Sequence, residues 1–155
     1  MGYNLKVTDL QAAIGVEQLK KFPSFIERRR YNWERLRKAL EPVEDKIILP
    51  EPVTNSRPSW FGFIITVKAN AGVSRNQVTR YIEEKNIQTR LLFSGNLIKH
   101  PCFNPIRGTD AYRVSGGLDN TDRIMNNTFW VGVYPGMTDE KIDYMAKIIT
   151  DAVRM

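Results

Sequence analysis

Apolar residues first recur at helical spacing. Leu10, Ala13, Ile14 and Leu19 follow Thr8, whose hydroxyl can cap a helix while Gln11, three residues on, closes a capping box. The pattern predicts a helix over about 8–21. Pro23 breaks or kinks it. Ser24 then restarts a second helix on the series Phe25, Ile26, Trp33, Leu36 and Leu40, which Pro42 ends. Residues 43–59 carry Pro50, Pro52 and Pro58 and read as irregular, with a short edge strand at 47–49. "WFGFIITV" (60–67) is aromatic and β-branched, the pattern of a strand. Ser74 caps a third helix to about Lys85, with Val78, Tyr81 and Ile82 inward. "NIQTRLLF" (86–93) is the next strand, 94–119 a long loop rich in Gly and Pro, and Asp119 or Asn120 the cap of a short helix. "FWVGVY" (129–134) is a further strand, and Thr138 caps a last helix whose Ile142, Met145, Ile148, Ile149 and Val153 are spaced for burial.

Two helices, then β-α-β, a loop and α-β-α, give no strict βαβ alternation. That order predicts an α+β fold: a short, mostly antiparallel three-stranded sheet of "WFGFIITV", "IQTRLLF" and "FWVGVY". The helices from Ser74 and Thr138 pack on one of its faces. The kinked helical segment over 1–41 reads as a connector and 42–155 as the small α+β domain. No internal repeat or low-complexity segment interrupts it.

Composition narrows the class. The chain has 155 residues, 42% of them hydrophobic and 26% charged, enough for one core of ordinary size. No apolar run approaches the roughly 18 residues a membrane span needs, and the first residues lack the apolar stretch of a signal peptide. A single cysteine, Cys102, excludes an intrachain disulfide and favours a reducing, cytoplasmic setting. The net charge of +6 reads either as a solvated basic face or as a surface for a polyanion.

Few residues carry chemistry by pattern alone. His100 and Cys102 stand two apart in a loop, where side chains point to opposite sides. They lack an orienting third group for nucleophilic catalysis and cannot fill a metal shell. Phe61, Gly62, Phe63 and Ile64 match the centre of the RNA-recognition strand motif. Ser59, Trp60 and Thr66 fail it, so nucleic acid is not the expected partner. Arg90 is more informative. It sits among apolar neighbours and leads into Ser94, Gly95 and Asn96, and its planar guanidinium suits phosphate or carboxylate. Asn4 precedes a helix start, where unpaired N–H groups favour anions.

Together, "GYNLKVTDLQAAIG", the "QLKKFP" kink, "TRLLFSGNLIKHPCF" and "NNTFWVGVYPGMT" resemble the C-terminal portion of the DegT/DnrJ/EryC1/StrS family, along the whole chain. The last two, and Lys6 where the aminotransferases tend to have Arg, resemble its branch of 3-dehydratases acting on CDP-4-keto-6-deoxyglucose in lipopolysaccharide and deoxysugar biosynthesis. The resemblance implies the small domain of a fold-type I pyridoxal-phosphate enzyme, with the aminotransferases as the alternative branch. It implies pyridoxal or pyridoxamine phosphate in the full enzyme and, in the CDP-sugar branch, an iron–sulfur cluster whose ligands lie upstream, because Cys102 alone cannot hold one. The catalytic base, Lys in one branch and His in the other, also belongs upstream. This chain is therefore expected to be a fragment that holds no catalytic residue and no metal and turns nothing over alone. Carried over by position, Asn4 reaches the cofactor phosphate of the neighbouring subunit of a homodimer. Arg90, Ser94 and Asn96 face a nucleotide-sugar substrate, and Lys6 and His100 face its diphosphate. A fragment with an uncovered opening helix is expected to self-associate.

Overall fold

The computed structural model describes Tyr3 and residues 5–155. Its first element, α1 (Asp9–Leu40), is a single helix of 32 residues that runs through Pro23. Thr8 and Gln11 form the expected capping box, Gln11 N–H donating to Thr8 Oγ1 and Thr8 N–H to Gln11 Oε1. The expected restart at Ser24 is corrected. Proline removes one N–H, and Ser24 Oγ donates to the Lys21 carbonyl at 2.7 Å instead of capping a new helix.

Four strands follow: β1 (Ile47–Ile48), β2 (Gly62–Val67), β3 (Thr89–Leu91) and β4 (Thr128–Gly132). They form one antiparallel sheet in the order β1-β2-β4-β3. The expected three-stranded sheet thus gains an edge strand, because Ile47 and Ile48 pair with Val67 and Thr66 and the ladder continues from Lys68 N–H to the Lys46 carbonyl. Helix α2 (Arg75–Glu84), capped by Ser74, joins β2 to β3. The segment expected as a bare loop after β3 contains 3₁₀ turns at Leu97–Lys99 and Pro101–Ile106. Helix α3 (Asp119–Asn127) leads into β4, with Leu118 rather than Asp119 or Asn120 at its N-cap and no side-chain cap. Thr138 caps α4 (Asp139–Val153), accepting from Lys141 N–H.

Alternation decides which sheet face is covered. Phe63, Ile65 and Val67 of β2, with Phe129 and Val131 of β4, are buried on one face against Val78 and Ile82 of α2 and the apolar side of α4. The second half of α1 completes this core. Trp33, Leu36 and Leu40 are buried, and Trp33 stacks on Trp60 with ring centroids 4.4 Å apart. The opposite sheet face carries Ile64, Trp130, Gly132 and Arg90, with Arg90 directly across from Trp130.

The first half of α1 has no such cover. Every residue from Leu5 to Phe25 is exposed. This arm projects about 25 Å from the body and carries large apolar side chains around its circumference: Leu10 and Ile14 on one side, Val16 and Leu19 roughly opposite. A helix apolar on several sides is one that several surfaces cover.

Candidate functional site

The turn after β3 is fixed by two unusual backbone positions. Phe93 is left-handed (φ 47°) and exposed, a strained state for a bulky residue. Gly95 is also left-handed (φ 63°), and a Cβ there would lie 2.4 Å from Met125 Cγ, so only glycine lets the loop lie against α3. Asn96, buried, then donates from Nδ2 to Asp122 Oδ1 (2.7 Å), and Lys99 Nζ meets Asp122 Oδ2 at 2.6 Å. These two donors hold the Asp122 carboxyl below its usual range. His100 Nε2 lies 2.5 Å from the Ser94 carbonyl, and Arg107 donates to the carbonyls of Ile98 and His100.

Ser94, Asn96 and His100 therefore share one closed loop, immediately beyond the strand that bears Arg90. Ser94 is exposed, whereas the Asn96 amide is committed to Asp122. Lys6 lies in the exposed stretch before α1, and Asn4 falls outside the described residues.

Beside Arg90 opens a cavity of about 780 Å³, and sequence reasoning missed it. Arg90, Trp130 and Gly132 line it from the sheet, Tyr134 from the turn after β4, and Lys141 and Tyr144 from α4. Tyr144 is oriented by its hydroxyl, which donates to the Lys85 carbonyl at 3.1 Å. The signal was present in "WVGVY": Trp130, Gly132 and Tyr134 alternate, so they share a face. Glu140, also on the wall, is held below the usual carboxylate range by its own backbone N–H and then by the Thr138 hydroxyl. Glu140 and Lys141 are consecutive residues of α4 and so point to different sides of it. Among the described residues no cluster of His, Cys, Asp and Glu could hold a metal, and no helix is long and apolar enough to cross a membrane.

The cavity wall is tied to α1. Asn32 Nδ2 donates to the carbonyls of Tyr134 (2.9 Å) and Met137 (3.4 Å). Arg28 reaches Met137 O and Asp139 Oδ1, Tyr31 OH donates to Asp139 Oδ2, and Arg35 pairs with both oxygens of Asp143. The Tyr31 hydroxyl and Arg28 lower the Asp139 pKa from 3.8, and Arg35 lowers that of Asp143 from the same value. A carboxylate with a depressed folded pKa contributes stability above its unfolded value and loses it as pH falls through the folded one. The clasp is thus expected to be intact at neutral pH and to loosen below about pH 4. Amide exchange of residues 27–36 relative to the sheet, compared at pH 6 and pH 3 after correction for intrinsic rates, checks this. Unchanged relative protection would contradict it.

Against known proteins, residues 1–150 match the model of the DegT/DnrJ/EryC1/StrS aminotransferase family. The chain is 49% identical over 145 residues to the lipopolysaccharide biosynthesis protein RfbH of Salmonella typhimurium, covering 94% of this chain and 32% of that protein. It is 48% identical over 153 residues to dTDP-4-dehydro-2,6-dideoxy-D-glucose 3-dehydratase of Saccharopolyspora spinosa, covering 99% and 32%. The chain thus spans about a third of the length of these curated relatives. Among solved structures it superimposes on the E. coli GDP-4-keto-6-deoxy-D-mannose-3-dehydratase with bound hydrated PLP, with TM-score 0.76 and 30% identity, covering 96% of this chain and 36% of that one.

Proposed function

Because the chain belongs to the DegT/DnrJ/EryC1/StrS aminotransferase family, we propose that it is the small-domain portion of a nucleotide-sugar 3-dehydratase. The observation that carries this reading is the 48% identity to a nucleotide-sugar 3-dehydratase over 99% of the chain. The resemblance of "TRLLFSGNLIKHPCF" and "NNTFWVGVYPGMT" supports CDP-4-keto-6-deoxyglucose as substrate. The work of this portion is to bind and orient. Arg90 offers two parallel N–H donors to an anionic group. Ser94 offers a hydroxyl from a loop that Asn96 and His100 keep closed. Lys6 and His100 face the diphosphate, and Asn4 reaches the cofactor phosphate across a homodimer. The arm from Leu5 to Phe25 packs between the cofactor-binding half and the partner subunit, in the cytoplasm.

Pyridoxamine phosphate, when bound to that other half, supplies the electron sink for loss of the C3 hydroxyl, and an iron–sulfur cluster with ligands outside this chain supplies the reducing electrons. The test is product mass from CDP-4-keto-6-deoxyglucose. A polypeptide carrying this chain together with a cofactor-binding half is expected to yield a sugar lacking the C3 oxygen, and the chain alone no product. A 4-amino sugar would contradict the dehydratase reading in favour of a sugar aminotransferase, and turnover by the chain alone would contradict its binding-only role.

A further inference from the structure

The loop after β3 hangs on two side chains of α3. Among the described residues, the hydrogen bonds that residues 94–107 make outside their own loop run to Asp122 and Met125. These two stand three apart and so share one face of α3. Asn96 is held by both: its Nδ2 donates to Asp122 Oδ1, and its backbone N–H donates to Met125 Sδ at 3.3 Å. The same thioether side chain excludes a Cβ from Gly95, because one there would lie 2.4 Å from Met125 Cγ and 3.0 Å from Sδ. Met125 therefore fills the hollow beneath the loop and accepts the N–H of a buried residue, a bond that sulfur accepts weakly. Phe93, left-handed at φ 47°, stays strained while the loop is held this way.

Of the groups in this contact, only the thioether is readily oxidised. Met137 and Met145 are buried in the core, and Met155 is exposed at the chain end. Met125 is partly exposed and is also built into the loop contact. We propose that Met125 is a site of oxidative modification by peroxide, and that its oxidation releases the loop from α3. The thioether sulfur gives two electrons to hydrogen peroxide: the O–O bond breaks, an S=O bond forms and water leaves. With Sδ this close to Gly95 and to the Asn96 nitrogen, an added oxygen on that side has to push the loop back. The sulfoxide is polar and favours solvent over a packed contact. Enzymatic sulfoxide reduction at the expense of a thiol reverses the step. Ser94 and His100 ride on the released loop. That their release disarms the substrate side of the enzyme rests on the function proposed above, whereas the release itself does not.

The test uses the chain with Cys102→Ser, so that the exposed thiol does not compete for oxidant. Hydrogen peroxide is added, and peptide masses are followed alongside amide exchange of residues 94–100. Met155 is expected to gain an oxygen first, Met125 next, and Met137 and Met145 last. As Met125 gains its oxygen, exchange at Asn96 is expected to rise roughly tenfold, as for loss of one hydrogen bond, while residues 129–131 of β4 stay protected. Methionine sulfoxide reductases of both epimer specificities, with dithiothreitol, are expected to return the exchange to its starting rate. Met125→Leu nearly conserves volume, so it is expected to melt close to the parent and to show no further rise at Asn96 on adding peroxide. Oxidation of Met125 no faster than that of Met137 and Met145, an oxidised Met125 with Asn96 exchange unchanged, or an equal peroxide response in Met125→Leu would each overturn the proposal. Product mass from CDP-4-keto-6-deoxyglucose is measured separately, so loop release can fail while the dehydratase reading stands, and the reverse.

Discussion

Phe63→Ala is expected to lower the stability of the chain by about 3–5 kcal/mol, or about 6–20 °C in melting temperature for a domain of this size. Phe63 sits in β2, a central strand of the four, and is fully buried. It lies opposite Val131 in the register, and its ring lies 5.3 Å from that of Trp33. It therefore joins the sheet, its neighbour strand and the packed half of α1 at one point. Removing the ring loses its transfer free energy and leaves a cavity between elements that cannot all collapse inward. Thermal unfolding followed by circular dichroism measures the loss. A change under about 1 kcal/mol would mean that α1 is not part of the same core.

Self-association of the isolated chain through its arm is the second large effect. Leu10, Ile14, Val16, Leu19 and Phe22 are all more than half exposed. Burying each large apolar side chain yields about 1.5–3 kcal/mol, a sizeable part of an ordinary stability of about 5–15 kcal/mol. In the isolated chain, a second arm is the surface on hand to bury them. Leu10→Asp or Ile14→Asp is then expected to weaken association by about tenfold or more, without changing the melting temperature of the body. Sedimentation velocity over a concentration series separates the outcomes. A parent chain that stays monomeric, or an oligomer indifferent to both changes, would refute the idea.

Local chemistry in the sequence located the parts of the fold that it controls. Thr8, Ser74 and Thr138 cap helices where they were expected, because a capping side chain acts within three residues. The helix through Pro23 was missed because losing one hydrogen bond costs less than ending a helix that continues well formed on both sides. The short edge strand expected at 47–49 forms as Ile47–Ile48, paired with Val67 and Thr66; that it joins the same sheet as the other three strands is set by this pairing, which lies outside its local pattern. Within the candidate site, Arg90 stood out because it interrupts an apolar strand, and the structure sets it at a cavity wall. Lys141 and Tyr144 did not stand out, since on a helix surface they read as solvated positions. What gathers them beside Arg90 is tertiary packing of α4 against α1 and α2, which no local pattern encodes. The arm was misread in one respect. Leu10, Ala13, Ile14 and Leu19 looked like one stripe, whereas Leu19 lies nearly opposite Leu10.

That two-sidedness underlies the central claim: the chain is a self-sufficient body with an arm shaped for surfaces the body does not provide. Amide hydrogen exchange along α1, measured over a dilution series, tests it most directly. Residues 28–40 are expected to exchange slowly at every concentration. Residues 9–25 are expected to exchange rapidly in dilute solution and to gain protection only as copies associate. Protection over 9–25 that matches the body in a dilute monomer would show the arm covered by its own chain, and would contradict the account.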